Sequence, residues 1–198
     1  MRQQGRVRWK RFALIFLPAT AVATLLLCCA TVWGAVNASF VIAGQDLKVT
    51  ASVIRAWNVT EFGDPVETTN GTVPAYVTTA RRAEIFDLCQ SYLVNTPVGV
   101  ATIKLTGGDL GEPVRAQNQV VFAKMITGYT MYTNFQVGRD ASTLPTLSGV
   151  HGTPGAAGQY AAVVVVKDVR QIQLANSAES LIVPNSLARV LPGVHECF

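Results

Sequence analysis

The chain has 198 residues, enough for one domain once a targeting segment is set aside. Hydrophobic residues make up 49% and charged residues 14%, well under the about 25% charge of ordinary globular chains. The formal charge of +4 is gathered at one end: Arg2, Arg6, Arg8, Lys10 and Arg11 precede residue 12 without an acid, leaving 11 bases against 12 acids in the rest. A folded part without net positive charge argues against nucleic-acid binding, which needs a basic face.

The basic tail, residues 1–11, leads into Phe12–Val36, 25 residues without a charge. As a helix this run would span roughly 37 Å, more than the about 30 Å hydrocarbon core of a bilayer. It lacks the polar stripe that a core helix of a soluble protein keeps. The five bases before it are expected to stay in the cytoplasm, which sends residues 39–198 outside as an extracytoplasmic domain. Trp9 and Trp33 flank the run. Two fates fit. The run can stay as a single transmembrane anchor, or it can be a signal peptide cleaved near Ala38, where Val36-Asn37-Ala38 offers small residues. Cys28 and Cys29 follow Leu27, a poor context for acylation, and read as thiols within the apolar run.

Beyond Ser39 the pattern turns to alternation, the mark of half-buried strands. Leu47–Val53, Val100–Thr106 and Tyr129–Val137 each place apolar residues at every second position. Gln119–Ile126 precedes the last of these across Thr127-Gly128, short enough for a hairpin. Tyr160–Val166 is continuously apolar, as in a strand covered on both faces, and Arg170–Ala175 and Ser180–Val183 are shorter candidates. Gly63-Asp64-Pro65, Asn70-Gly71, Gly107-Gly108-Asp109 and Pro192-Gly193 punctuate these runs as turns. Ser148–Gly158 reads as a loose loop, and Thr79–Leu88 is the best helical candidate although it fits a strand too. The expected body is all-β, with short, mostly antiparallel strands in a sandwich, a barrel or a solenoid-like sheet. The third form is suggested by a faint echo among Val49–Phe62, Ala80–Gln90, Val121–Phe135 and Val164–Leu174, each reading as strand, polar step, strand.

Cys89 and Cys197 are the cysteines of this body, and two cysteines in an oxidising compartment are expected to pair. Asn37, Asn58 and Asn70 each begin a glycosylation-type tripeptide. Catalytic motifs are scarce. No G-x-S-x-G elbow occurs, and a triad of Ser148, His151 or His195, and Asp140 is not demanded by any spacing. His195-Glu196-Cys197 is too small a set for a metal, which needs three or four converging ligands. Neither a catalytic residue nor a cofactor is therefore expected. Arg139 and Asp140, after a strand and before Ser142-Thr143, mark a fixed turn or a binding contact.

Several stretches together resemble a known group: RVRWKRFALIFLPA from Arg6, ASFVIAG from Ala38, LCQSYLVNTPVG from Leu88, NFQVGRDASTL from Asn134 and VVVKDVRQIQLANSAESLIVP from Val164. They are similar to an uncharacterised exported or membrane-anchored family of actinobacteria, over nearly the whole chain. Some of its members bear the label cholesterol esterase. The resemblance implies no catalytic or binding residues.

Two functional expectations follow. One is a non-catalytic cell-envelope protein, anchored or secreted, whose β domain binds a partner such as a lipid or an envelope protein. The other is a secreted ester hydrolase.

Overall fold

The computed structural model describes residues 42–109, 111–146 and 150–198. The basic tail, the apolar run 12–36 and the cleavage position at Ala38 lie outside them. The described residues form nine strands and one short 3-10 helix, and none of their helices is long and apolar enough to cross a membrane. The strands are β1 (Leu47–Thr68), β2 (Gly71–Phe86), β3 (Leu88–Thr96), β4 (Gly99–Gly107), β5 (Val114–Thr133), β6 (Gln136–Asp140), β7 (Ala157–Ser177), β8 (Ser180–Ile182) and β9 (Leu187–Pro192). All belong to one antiparallel sheet, so the domain is all-β.

Four strands are much longer than expected. β1, β2, β5 and β7 have 22, 16, 20 and 21 residues, against about 3–10 in ordinary sheets. Two anticipated breaks and most of the helical candidate lie inside them. Gly63-Asp64-Pro65 is within β1, past Phe62, its last partner on β7; an edge tolerates a proline. Thr127-Gly128 is a register shift in β5, not a hairpin. There a Cβ on Gly128 would come within 2.7 Å of the Lys167 carbonyl, so glycine permits a close approach of β7 rather than a turn. Thr79–Phe86, within the helical candidate, is strand.

β1 pairs with β2, β2 with β5, β5 with β7, and β7 again with β1, so the sheet closes into a ring. Its inside is packed by small side chains: Ala56, Ala80, Ala83, Ala116 and Ala161 with Val59 and Val164. The inward phase does not simply alternate. On β1 it runs Ala51, Ile54, Ala56, Val59, Glu61; on β2 and β3, Ala80, Ala83, Ile85, Leu88, Gln90; on β7, Ala161, Val164, Val166, Val169, Gln171. Twos are broken by threes. At each three a residue drops out of the ladder, and the dropped residues line up across the ring. Asn58 stands beside Arg81, Asn118 and Ala162, and Ser52 beside Asp87 and Asp168.

Asn58, Asn118, Asp87 and Asp168 have φ of 50°, 48°, 52° and 52°. Asn and Asp enter this left-handed region more readily than other non-glycine residues because their short polar side chains bond locally. Two of these side chains also bond across the ring wall: Ser52 Oγ donates to Asp87 Oδ2 at 2.5 Å and Tyr160 OH to Asn58 Oδ1 at 3.0 Å. The two rows act as bends that let long strands wrap into a closed ring.

β3 takes over from β2 beside Lys48–Thr50 of β1 and continues into β4 and β9, forming a wing of short strands. Cys89 of β3 bonds Cys197, Sγ–Sγ 2.00 Å. On the outside of the ring, the 3-10 helix Ala141–Thr143 and the segment after it cover Phe62, Val77 and Val120. The described part of the anticipated loose loop is therefore anchored at Gly152 and Gly158, while His151, Thr153, Pro154, Gly155 and Ala157 are exposed. Gly152 is buried with Ala141 and Phe62 so near that an added Cβ would lie 2.4 Å from the Ala141 Cβ, and Ala141 N–H donates to the Ala156 carbonyl at 2.9 Å.

Candidate functional site

The small side chains inside the ring leave space. A cavity of about 90 Å³ lies among the inward residues of β1, β2, β5 and β7, far above the about 10–15 Å³ needed for one water. A wider opening of about 470 Å³, lined by Tyr76, Lys124, Met125, Thr130 and Tyr132 among others, shares Glu61, Ile126 and Val166 with it.

Glu61 stands where the two meet. It follows Val59 on the inward face of β1, with Gln159 of β7 opposite on one side and Thr78 of β2 opposite on the other. Only 7% of it is exposed. One carboxyl oxygen, Oε2, accepts hydrogen bonds from Gln159 Nε2, from Tyr76 OH at 3.1 Å and from Tyr132 OH at 3.5 Å. Gln159 Nε2 also reaches Tyr76 OH at 2.8 Å.

The charge is out of its element. Burial removes water from the carboxylate and raises its pKa above the ordinary value; the bonds from Gln159, Tyr76 and Tyr132 only partly offset this. Burial and the neighbouring Glu61 charge raise the pKa of both tyrosines, keeping them as O–H donors. Among the described residues no Lys, Arg or His forms an ion pair with Glu61. Lys124, at the opening, is held by Asp46 at 2.5 Å.

Deeper in, the wall is partly amide. Gln119, Gln171 and Gln173 are buried. Gln119 Nε2 donates to Asn176 Oδ1 and Gln173 Nε2 to Gln171 Oε1. Gln173 Oε1 and Thr78 Oγ1, on the same wall, have no partner among the described residues. Such orphans are uncommon in native proteins and ask for an explanation. The arrangement can accept hydrogen bonds from a guest, hold its apolar part against Ile54, Val121 and Val164, and answer a positive charge.

One family model runs from residue 43 to residue 198 and so takes in the ring, the wing and the crosslink. The chain belongs to DUF6230, a family of unknown function. No curated protein and no solved structure matches it.

Within this DUF6230 domain the candidates read from the sequence lie apart from Glu61 in their bonding. Asp140 caps the 3-10 helix: its carboxylate accepts from Ser142 N–H at 2.9 Å, Ser142 Oγ at 2.7 Å and Gly155 N–H at 3.0 Å, which lower its pKa. Arg139 turns to Gln136 Oε1 at 2.9 Å, so the two neighbours hold the turn separately and form no ion pair. His151 Nδ1 meets Thr146 Oγ1 at 3.0 Å, and Ser148 lies outside the described residues. Cys197, next to His195 and Glu196, is spent on the disulfide, and Glu196 pairs with Lys48 at 2.8 Å. No three His, Cys, Asp or Glu converge among the described residues. Sequence reasoning missed Glu61. The available signal was its two-residue step from Val59, which carries the apolar phase of β1 onto an acid.

Proposed function

We propose that this protein is a non-catalytic binding domain of the cell envelope, held outside the membrane by its apolar N-terminal segment or released by cleavage near Ala38, and that the ring interior binds a small amphipathic molecule. The apolar run 12–36 and the five bases before it support the compartment. The Cys89–Cys197 crosslink suits an oxidising one. The observation that carries the binding reading is the cavity with its unpartnered groups, Gln173 Oε1 above all, in a wall that sets a few amides and one carboxyl among valine, isoleucine, leucine and alanine. Binding pockets commonly combine an apolar lining with few convergent polar groups.

The test is extraction of the purified full-length chain and mass spectrometry of what it carries. Ala80→Phe and Ala83→Phe would fill the cavity. A small molecule that travels with the wild type and is lost from both variants is the expected outcome. A wild type that carries nothing and binds none of a panel of short amphiphiles would overturn the reading. The ester-hydrolase alternative makes the opposite forecast: turnover of p-nitrophenyl esters, abolished by Ser148→Ala.

A further inference from the structure

We infer that the guest of the ring is an organic ammonium, a short apolar body whose charged head meets Glu61. This rests on the binding reading above and adds the head group to it. All three protein donors around Glu61 converge on Oε2, leaving Oε1 without a hydrogen bond from the described residues. The cavity's other unpartnered groups are the Gln173 carbonyl oxygen, in a side chain 2% exposed, and the Thr78 hydroxyl, whose residue stands opposite Glu61. The buried amide oxygen and hydroxyl lack partners, and Glu61 Oε1 takes no donor from the described residues, so the three suit a guest that brings N–H or O–H donors.

The carboxyl decides between these. A buried acid without a cation is unfavourable, and a guest carrying the missing charge gains from every step that excludes water around the pair. A fatty acid or other anion would meet Glu61 with like charge, and the one cation among the described residues of the cavity and its opening, Lys124, is engaged by Asp46. An amino acid or a polyamine would bring a second charge into a wall of aliphatic side chains and neutral amides, in which Glu61 is the one ionisable group among the described residues. The volume limits the body: about 90 Å³ is below the about 150 Å³ of a cavity that admits benzene.

The experiment titrates the full-length chain with butylammonium, butanol and butanoate at neutral pH, by calorimetry. Butylammonium is expected to bind about tenfold or more tightly than butanol, with butanoate weakest. Glu61→Gln is expected to erase the preference for the amine while butanol still binds. Ala80→Phe is expected to abolish binding of both. Lowering the pH should weaken the amine and spare the alcohol. Equal binding of amine and alcohol, or a preference that survives Glu61→Gln, overturns the head-group assignment and leaves the cavity as a site for neutral guests. Amine binding undiminished by Ala80→Phe puts the amine on the surface and overturns both readings. Silence from all three probes, with the fold intact by circular dichroism, overturns the ammonium inference, and the co-purification experiment then judges the cavity alone.

Discussion

The ring and the wing solve the same problem by different means. The ring of β1, β2, β5 and β7 holds together through long continuous ladders, and its centre is small-chained, partly polar and open. The wing of β3, β4 and β9 has strands of only nine, nine and six residues. It is fastened by the C-terminal segment. Cys197 bonds Cys89 and its N–H donates to Ser91 Oγ at 2.9 Å, His195 N–H donates to Thr102 Oγ1 at 2.8 Å, and Lys48 holds both Glu196 and the Phe198 carbonyl. The Phe198 ring lies 5.4 Å from Lys48 Nζ and 5.9 Å from the Arg170 guanidinium. The difference teaches that an interior can stay partly unfilled where long backbone ladders hold its wall. A wall that depended on a filled core would collapse into the space.

Removing the crosslink is the largest test of that contrast. Cys197→Ser frees a loop of 108 residues, and the chain-entropy model gives a loss of about 4–5 kcal/mol. Denaturant titration checks the size. Hydrogen exchange checks the place: protection should fall first in β9 and the C-terminal segment and last in β1 and β7. Uniform loss across ring and wing would show that the two are one cooperative unit. Phe62→Ala strikes the ring from outside. It removes a side chain 2% exposed, packed under the 3-10 helix with Val77 and Val120, and should cost about 3–5 kcal/mol while leaving the wing's order of exchange unchanged.

The bends give finer tests. Gly128→Ala drives a Cβ to within 2.7 Å of the Lys167 carbonyl at a φ of 155°, so a loss of about 2 kcal/mol is expected. Asn118→Val forces a β-branched residue into the left-handed region and should cost about 1–2 kcal/mol, whereas Asn118→Gly should be close to neutral. If valine were tolerated as well as glycine, the bend would not be set by this residue.

Much of the fold was legible. Alternation found parts of β1, β4 and β5, a continuous apolar run found part of β7, and Asn70-Gly71 marked the β1–β2 turn. Strand length was not legible, because a polar residue or a glycine inside an apolar run looks like an end. The echo of strand, polar step and strand had a physical cause. Asn58 and Ser52 fall in its first segment, Asp87 in its second, Gly128 in its third and Asp168 in its fourth. Ser52, Asn58, Gly128 and Asp168 are places where a continuous strand slips phase, and Asp87 is the step from β2 to β3; none is a joint between stacked repeats. The Cys89–Cys197 pairing followed from compartment and count. Glu61 was hidden because residues 59 to 62 are all buried: the ring covers Val59 and Glu61 on one face of β1 and the 3-10 segment covers the other, where Phe62 lies, so each face mixes polar and apolar residues and the alternation names no inward side.

The smallest change separates the ring's charge from its shape. Glu61→Gln keeps the side chain's size and an oxygen to accept from Gln159 and Tyr76, and it removes the titration. Burial raises the Glu61 pKa in the folded chain above its ordinary 4.5. Between those two values the folded state holds a proton that the unfolded state has released, so the wild type loses stability as pH rises through that window and levels off above it. Asp140 has the opposite sign. Its lowered pKa contributes stability above its ordinary 3.8 that is lost as pH falls, but it is present in both proteins and cancels in the difference. Wild type and variant should therefore be alike below the ordinary pKa of Glu61, and the variant the more stable at neutral pH. Butylammonium should narrow that gap for the wild type alone, since a bound cation stabilises only the ionised acid. A gap of the same size with and without the amine would mean that Glu61 is buried for the sake of the tyrosines around it and not for a guest.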